Sequence, residues 1–208
     1  MAVTALLLAA CSTAIEGKPV AAEPGAILGG DASQCTTVDP PLTDVDPASS
    51  DDTEPIMKIP QPDGWERFTQ LDSQLIRFSM RNPSQGLPTF AAAAVVTVES
   101  HPGELDADDF FDQSRSALTQ AFGGEGMTWD DTEVCGLPAQ VIHYTLPPQM
   151  ANAPAVPADA LMVVAYSGKK TYGIALTMQS PTPDNPDYQR DSKAIQEGFQ
   201  VLATGSGG

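Results

Sequence analysis

Ala160-Leu-Met-Val-Val-Ala-Tyr-Ser-Gly-Lys-Lys-Thr-Tyr-Gly-Ile-Ala-Leu-Thr-Met178 decides the fold. Two apolar runs, Ala160 to Tyr166 and Thr171 to Met178, flank Ser167-Gly168-Lys169-Lys170, which is turn chemistry, so the stretch reads as a β-hairpin. Upstream the pattern recurs: Met127 to Val134 and Ala139 to Leu146 lie on either side of Gly136-Leu137-Pro138 and form another hairpin. Further out, Leu75 to Met80 and Phe90 to Glu99 are strand-like. The second of these is apolar on both faces over most of its length, which predicts a central strand covered on both sides. Ile56-Met-Lys-Ile59 leads into Pro60 and a Pro-Asp-Gly turn before Trp65.

Two helices complete the set. Asp106 to Phe122 places Phe110, Phe111, Ser114, Ala117, Leu118, Ala121 and Phe122 on one stripe, and Gly123-Gly124 stops it. Asn185-Pro186 is a good cap and first-turn pair for a last helix with the stripe Tyr188, Ile195, Phe199 and Leu202. The order strand, helix, four strands, helix argues for an α+β fold, an antiparallel sheet with helices packed on it.

The chain has 208 residues and a net charge of −17, which excludes binding to nucleic acid by phosphate neutralisation. Its 19 prolines and 17 glycines exceed what one compact domain needs and belong in tails and loops. Residues 12–54 carry one lysine against nine acids and almost no aromatic residue, so they are expected to form a flexible acidic stalk. Residues 55–202 carry nine basic and eighteen acidic side chains and make a single domain, itself acidic, with residues 203–208 as a disordered tail.

The first ten residues are uncharged and too short to cross a bilayer, which needs about 20 apolar residues. They read as the remnant of a signal peptide; the basic residues that open such a signal are missing, which points to a natural start upstream. Leu8-Ala9-Ala10-Cys11 resembles the bacterial lipobox. That resemblance implies cleavage before Cys11, diacylation of its thiol, and export to the outer face of the cytoplasmic membrane.

Ile59-Pro-Gln-Pro-Asp-Gly-Trp65, Gly136-Leu-Pro-Ala139 and Ala194-Ile-Gln-Glu-Gly-Phe-Gln-Val-Leu202 resemble, in order and spacing, the LpqN/LpqT lipoprotein family of mycobacteria and related actinobacteria. The resemblance covers residues 55–202 and the lipobox. It implies a Mog1/PsbP-like α/β/α sandwich and supplies no catalytic residue. Read physically, the prolines and Gly64 turn the chain so that Trp65 reaches the edge of the core with its N–H able to find a partner; an aromatic ligand platform is the other reading. The connection Pro147 to Pro157, with Met150 and Pro154, is longer than the family's short turn, and is either a partner-binding loop or a tolerated insertion.

With Cys11 given to lipid, Cys35 and Cys135 are the remaining pair, expected as a disulfide in an exported protein and as two free thiols otherwise. The two histidines, His101 and His143, are far apart in sequence, and no nucleophile elbow or paired Cys or His spacing supports a triad or zinc. Glu104, Asp106, Asp108, Asp109 and Asp112 lack the spacing of a calcium loop and sit where a helix dipole favours negative charge. The expectation is a monomeric, non-enzymatic, lipid-anchored envelope module without cofactor or metal, binding a protein or a small apolar ligand. The alternative is an accessory hydrolase of cell-wall metabolism using the Asp106 to Asp112 carboxylates or His143.

Overall fold

The computed structural model describes residues 30–45, 53–87, 90–148, 155–167 and 169–202. Two of its strands are the expected hairpin, Val156–Ser167 (β8) and Lys170–Gln179 (β9), paired from Ala158 opposite Gln179 to Ser167 opposite Lys170. Before them come Leu42–Val45 (β1), Ile56–Pro60 (β2), Glu66–Arg67 (β3), Ile76–Leu87 (β4), Phe90–Pro102 (β5), the helix Ala107–Phe122 (α1), Glu125–Val134 (β6) and Leu137–Leu146 (β7). After them come the helix Pro186–Glu197 (α2) and Gln200–Leu202 (β10). A seven-stranded sheet runs β3-β4-β5-β9-β8-β7-β6 and a three-stranded sheet runs β1-β2-β10. The fold is α+β, with every described pairing antiparallel.

Strand alternation divides the large sheet into two faces. Phe78, Met80, Ala92, Ala94, Val96, Leu161, Val163, Ile174, Leu176 and Met178 point one way and close a core with Met57, Ile59, Val201, Tyr188, Ile195 and Phe199 from the small sheet and α2. The other face carries α1, whose Phe110 and Phe111 pack with Val164. Leu118 adds to a cluster of Ile142, Tyr144, Ala158 and Ala160. Each helix begins as its first residues require: the Asp106 carboxylate accepts from Asp108 N at 2.9 Å, and the Asn185 side chain accepts from Asp187 N at 2.9 Å. Gly123, at φ 68°, ends α1 in the left-handed cap conformation.

Three expectations change. Residues 30–45, expected in the stalk, are part of the folded body: β1 pairs with β2, and Cys35 is bonded to Cys135 across 100 residues. Composition could not reveal this, because the order of residues 30–45 comes from a covalent link and from pairing with a strand elsewhere. The last helix stops at Glu197, since Gly198 takes its C-cap and lies against Val38 and Pro60, so Phe199 to Leu202 continue as a strand. β5 is fully buried on one face only; Val95 and Thr97 on the other are half-buried. Of the two readings of Trp65, the core one holds: it is 3 % exposed, with its N–H bonded to Asp191, and does not form a platform. The leader, Cys11, most of the expected stalk, Met150, Pro154 and residues 203–208 lie outside the described residues.

Candidate functional site

The half-covered face of the sheet leaves an apolar groove of about 540 Å³ beneath α1. Its origin is a difference in side-chain size. On β9, Tyr172, Ile174, Leu176 and Met178 fill the opposite core, whereas the residues between them are Gly173, Ala175 and Thr177. Val95 and Thr97 of β5 and Ala160 and Met162 of β8 continue this floor. The roof is one side of α1: Phe110, Ser114, Ala117, Leu118 and Phe122. Phe110 sets the closest approach of helix to sheet, because its ring lies directly on Gly173, where any Cβ would overlap it. Away from that point the small residues keep the helix and the sheet apart.

The rim is apolar as well. Phe122 is 59 % and Leu75 47 % exposed at the groove. Polar groups gather at one end, where His101 Nε2 is 3.9 Å from Glu99 Oε2 and the His101 ring meets Phe110 edge-on at 6.3 Å. At the other end Tyr144 joins Leu146. Burial, and then the charge of Asp159, push the Tyr144 hydroxyl up to about 12, so it stays a neutral donor. The lining is mainly apolar, with the hydroxyls of Thr97, Thr177 and Ser114 the polar groups between the ends.

The other sequence-predicted residues do not join this site. His143 is on the α2 side of β7, with Nδ1 2.7 Å from Asp159 Oδ1 and Nε2 3.9 Å from Asp130 Oδ2. Asp106 is occupied as the α1 cap, Asp112 pairs with Arg115, and Arg115 also reaches Gln140 and lies over the Trp129 ring at 4.3 Å. The carboxylates of α1 and the histidine of β7 therefore stand on opposite faces of the sheet. Among the described residues, no group of three or more His, Cys, Asp or Glu is placed to hold a metal ion. Among them, too, no helix is long and apolar enough to cross a membrane.

Sequence reading missed one polar centre. Asp191 of α2, 3 % exposed, accepts from Trp65 Nε1 at 3.0 Å and Gln85 Nε2 at 2.7 Å through Oδ2. Its Oδ1 accepts from Arg190 Nε and Nη2 at 3.0 and 2.8 Å. This carboxylate ties the Pro-Asp-Gly-Trp turn to α2, and it explains why Trp65 points inward. Glu54 and Arg77 form a second buried pair, joined at 3.1 and 3.0 Å.

No protein-family model matches the chain, and no curated protein sequence matches it. Among solved structures it is similar to LpqN of Mycobacterium tuberculosis, described as involved in cell envelope biogenesis, at 15 % identity over 78 % of this chain and 91 % of that one, with a TM-score of 0.61. It is also similar to the Ran-binding protein Mog1p of Saccharomyces cerevisiae, at 11 % identity over 80 % of this chain and 98 % of that one, with a TM-score of 0.50. The likeness is one of fold. The chain has the Mog1/PsbP-like α+β architecture that its motifs implied.

Proposed function

We propose that the protein is an exported envelope lipoprotein of the LpqN/LpqT kind, held at the membrane's outer face through a lipidated Cys11, which binds a small apolar ligand beneath α1 without catalysis. The groove carries this reading: its volume of about 540 Å³ falls within the roughly 300–1,000 Å³ of small-molecule sites, and its walls are mainly apolar with a few polar groups among them. The lipobox-like Leu8-Ala9-Ala10-Cys11 and the oxidised Cys35–Cys135 pair both fit a compartment outside the cytoplasm. The acidic charge of the domain is repelled by an anionic lipid surface and keeps it standing off the membrane.

Each methylene withdrawn from water is worth about 0.8 kcal/mol, close to a fourfold gain in affinity. Displacement of anilinonaphthalene sulfonate from the full chain by a series of straight-chain fatty acids should show that increment until the groove is full. Ala175→Phe, which fills the floor, should abolish it. Affinity independent of chain length, or unchanged in Ala175→Phe with its melting temperature preserved, refutes the groove as the site. The anchor is tested apart: Cys11→Ser should move the protein from the membrane to the soluble fraction of an actinobacterial host, and a variant that stays on the membrane refutes lipidation.

A further inference from the structure

β6 is the outermost strand of the seven-stranded sheet, and among the described residues no strand pairs with its free edge. Which backbone groups face outward follows from the turn. Val134 and Leu137 close a two-residue hairpin through Cys135 and Gly136, at φ 52° and 79°, and are therefore a hydrogen-bonded pair. Alternation then makes Glu133 opposite Pro138, Asp131 opposite Gln140 and Trp129 opposite Ile142 non-hydrogen-bonded pairs. Pro138, which has no N–H, sits where that parity requires no donor. The N–H and C=O groups of Trp129, Asp131 and Glu133 accordingly point away from the sheet.

Of the devices that block pairing, this edge has charge but not proline or a bulge along its length. From Thr128 to Val134 it contains no proline and no lysine, and its one register irregularity lies outside that run, between Glu125 and Thr128. Seven regular residues span about 23 Å, enough for a full added strand. Its far end is held by the Cys135 disulfide. Trp129 is 49 % exposed, with Arg115 over its ring, and offers an aromatic surface to a cross-strand neighbour. The charge decides what can pair: Asp130, Asp131 and Glu133 are all acidic, fall on both faces of the strand, and are accompanied by no basic residue of β6. Like charges directly opposite one another disfavour a second copy of the same strand, whereas a lysine- or arginine-rich strand is matched on both faces.

We propose that the outer edge of β6 is a β-augmentation site that takes an extended basic polypeptide segment as an eighth strand of the large sheet. This partner site is separate from the groove and stands without it. The test uses the full chain and the acetylated seven-residue peptide Lys-Lys-Thr-Lys-Lys-Thr-Lys, which carries lysines on both faces of a strand, with the peptide that has glutamate for every lysine as control. At saturation, the amides of Trp129, Asp131 and Glu133 should exchange at least about tenfold more slowly, as newly hydrogen-bonded N–H groups do, while Thr128, Asp130 and Thr132 are unchanged. Glu133→Gln, which keeps the N–H, should weaken binding about threefold by loss of one exposed charge pair. Glu133→Pro, which removes the outward N–H but no ladder bond, should weaken it about tenfold further. Equal binding by Glu133→Gln and Glu133→Pro, unprotected amides at saturation, equal affinity for the glutamate peptide, or no binding of the lysine peptide at millimolar concentration would each overturn the proposal.

Discussion

Asp191→Ala measures how much of the fold hangs on a single buried carboxylate. Asp191 accepts four N–H groups from three side chains, but these are not equal. Arg190 is 68 % exposed, so its pair with Asp191 is screened by solvent and is the smaller part. The Trp65 indole and the Gln85 amide are buried, and the Gln85 Oε1 is itself without a partner among the described residues, so Asp191 alone holds that side chain. Removing the carboxylate orphans two buried donors at about 1–3 kcal/mol each, partly offset because the desolvated charge is also removed. The net loss is about 3 kcal/mol, which lowers the melting temperature by roughly 6–12 °C for a domain of this size. Urea unfolding followed by tryptophan fluorescence under non-reducing conditions gives the free energy. A cycle with Trp65→Phe should return a coupling of about 1–2 kcal/mol. A loss below about 0.5 kcal/mol, or a Trp65→Phe cost that is the same with and without Asp191, refutes the argument.

Further outcomes follow from other contacts. Reducing Cys35–Cys135, or replacing both with serine, opens a loop of 100 residues and should lower stability by at most about 4–5 kcal/mol, read as a shift of the urea midpoint. Gly173→Ala places a methyl group in the Phe110 ring and should cost about 1–3 kcal/mol, most of it recovered in the Gly173→Ala/Phe110→Leu double variant; no recovery would place the strain elsewhere. Tyr144 ionises near 12 in the fold against about 10 when unfolded, so its contribution is intact below pH 10 and is lost as the pH rises through 12. Absorbance at about 295 nm should show Tyr144 and Tyr188, also raised by burial, titrating later than a free tyrosine; Tyr144→Phe should remove one of the late equivalents.

The hairpins, both helices and the antiparallel sheet were legible because their signals are local: alternation, caps, and turn residues within a few positions of each other. Long-range partnership was not. Asp191 lies 126 residues from Trp65, and nothing near either residue marks the pairing. The order of residues 30–45 escaped composition for the same reason, since it depends on β2 and Cys135. The groove had a signal of its own. Gly173, Ala175 and Thr177 alternate with Tyr172, Ile174 and Leu176, and an α1 stripe wide enough to cover a sheet faces that row of small side chains. Periodicity identifies which face is apolar; only side-chain volume on both partners tells whether that face is filled.

The Cys35–Cys135 link also fixes how mechanical load enters the molecule. Tension applied to the chain ahead of Gly30 reaches Cys35 before it reaches β1, and passes through sulfur into the Cys135 turn of β6 and β7. β1, with four pairs to β2, would otherwise be peeled off one pair at a time. Oxidised, the protein bears such a pull at the tip of a long hairpin, and β1 and β2, inside the closed loop, lie outside the covalent force path; reduced, β1 is the first element to be drawn away.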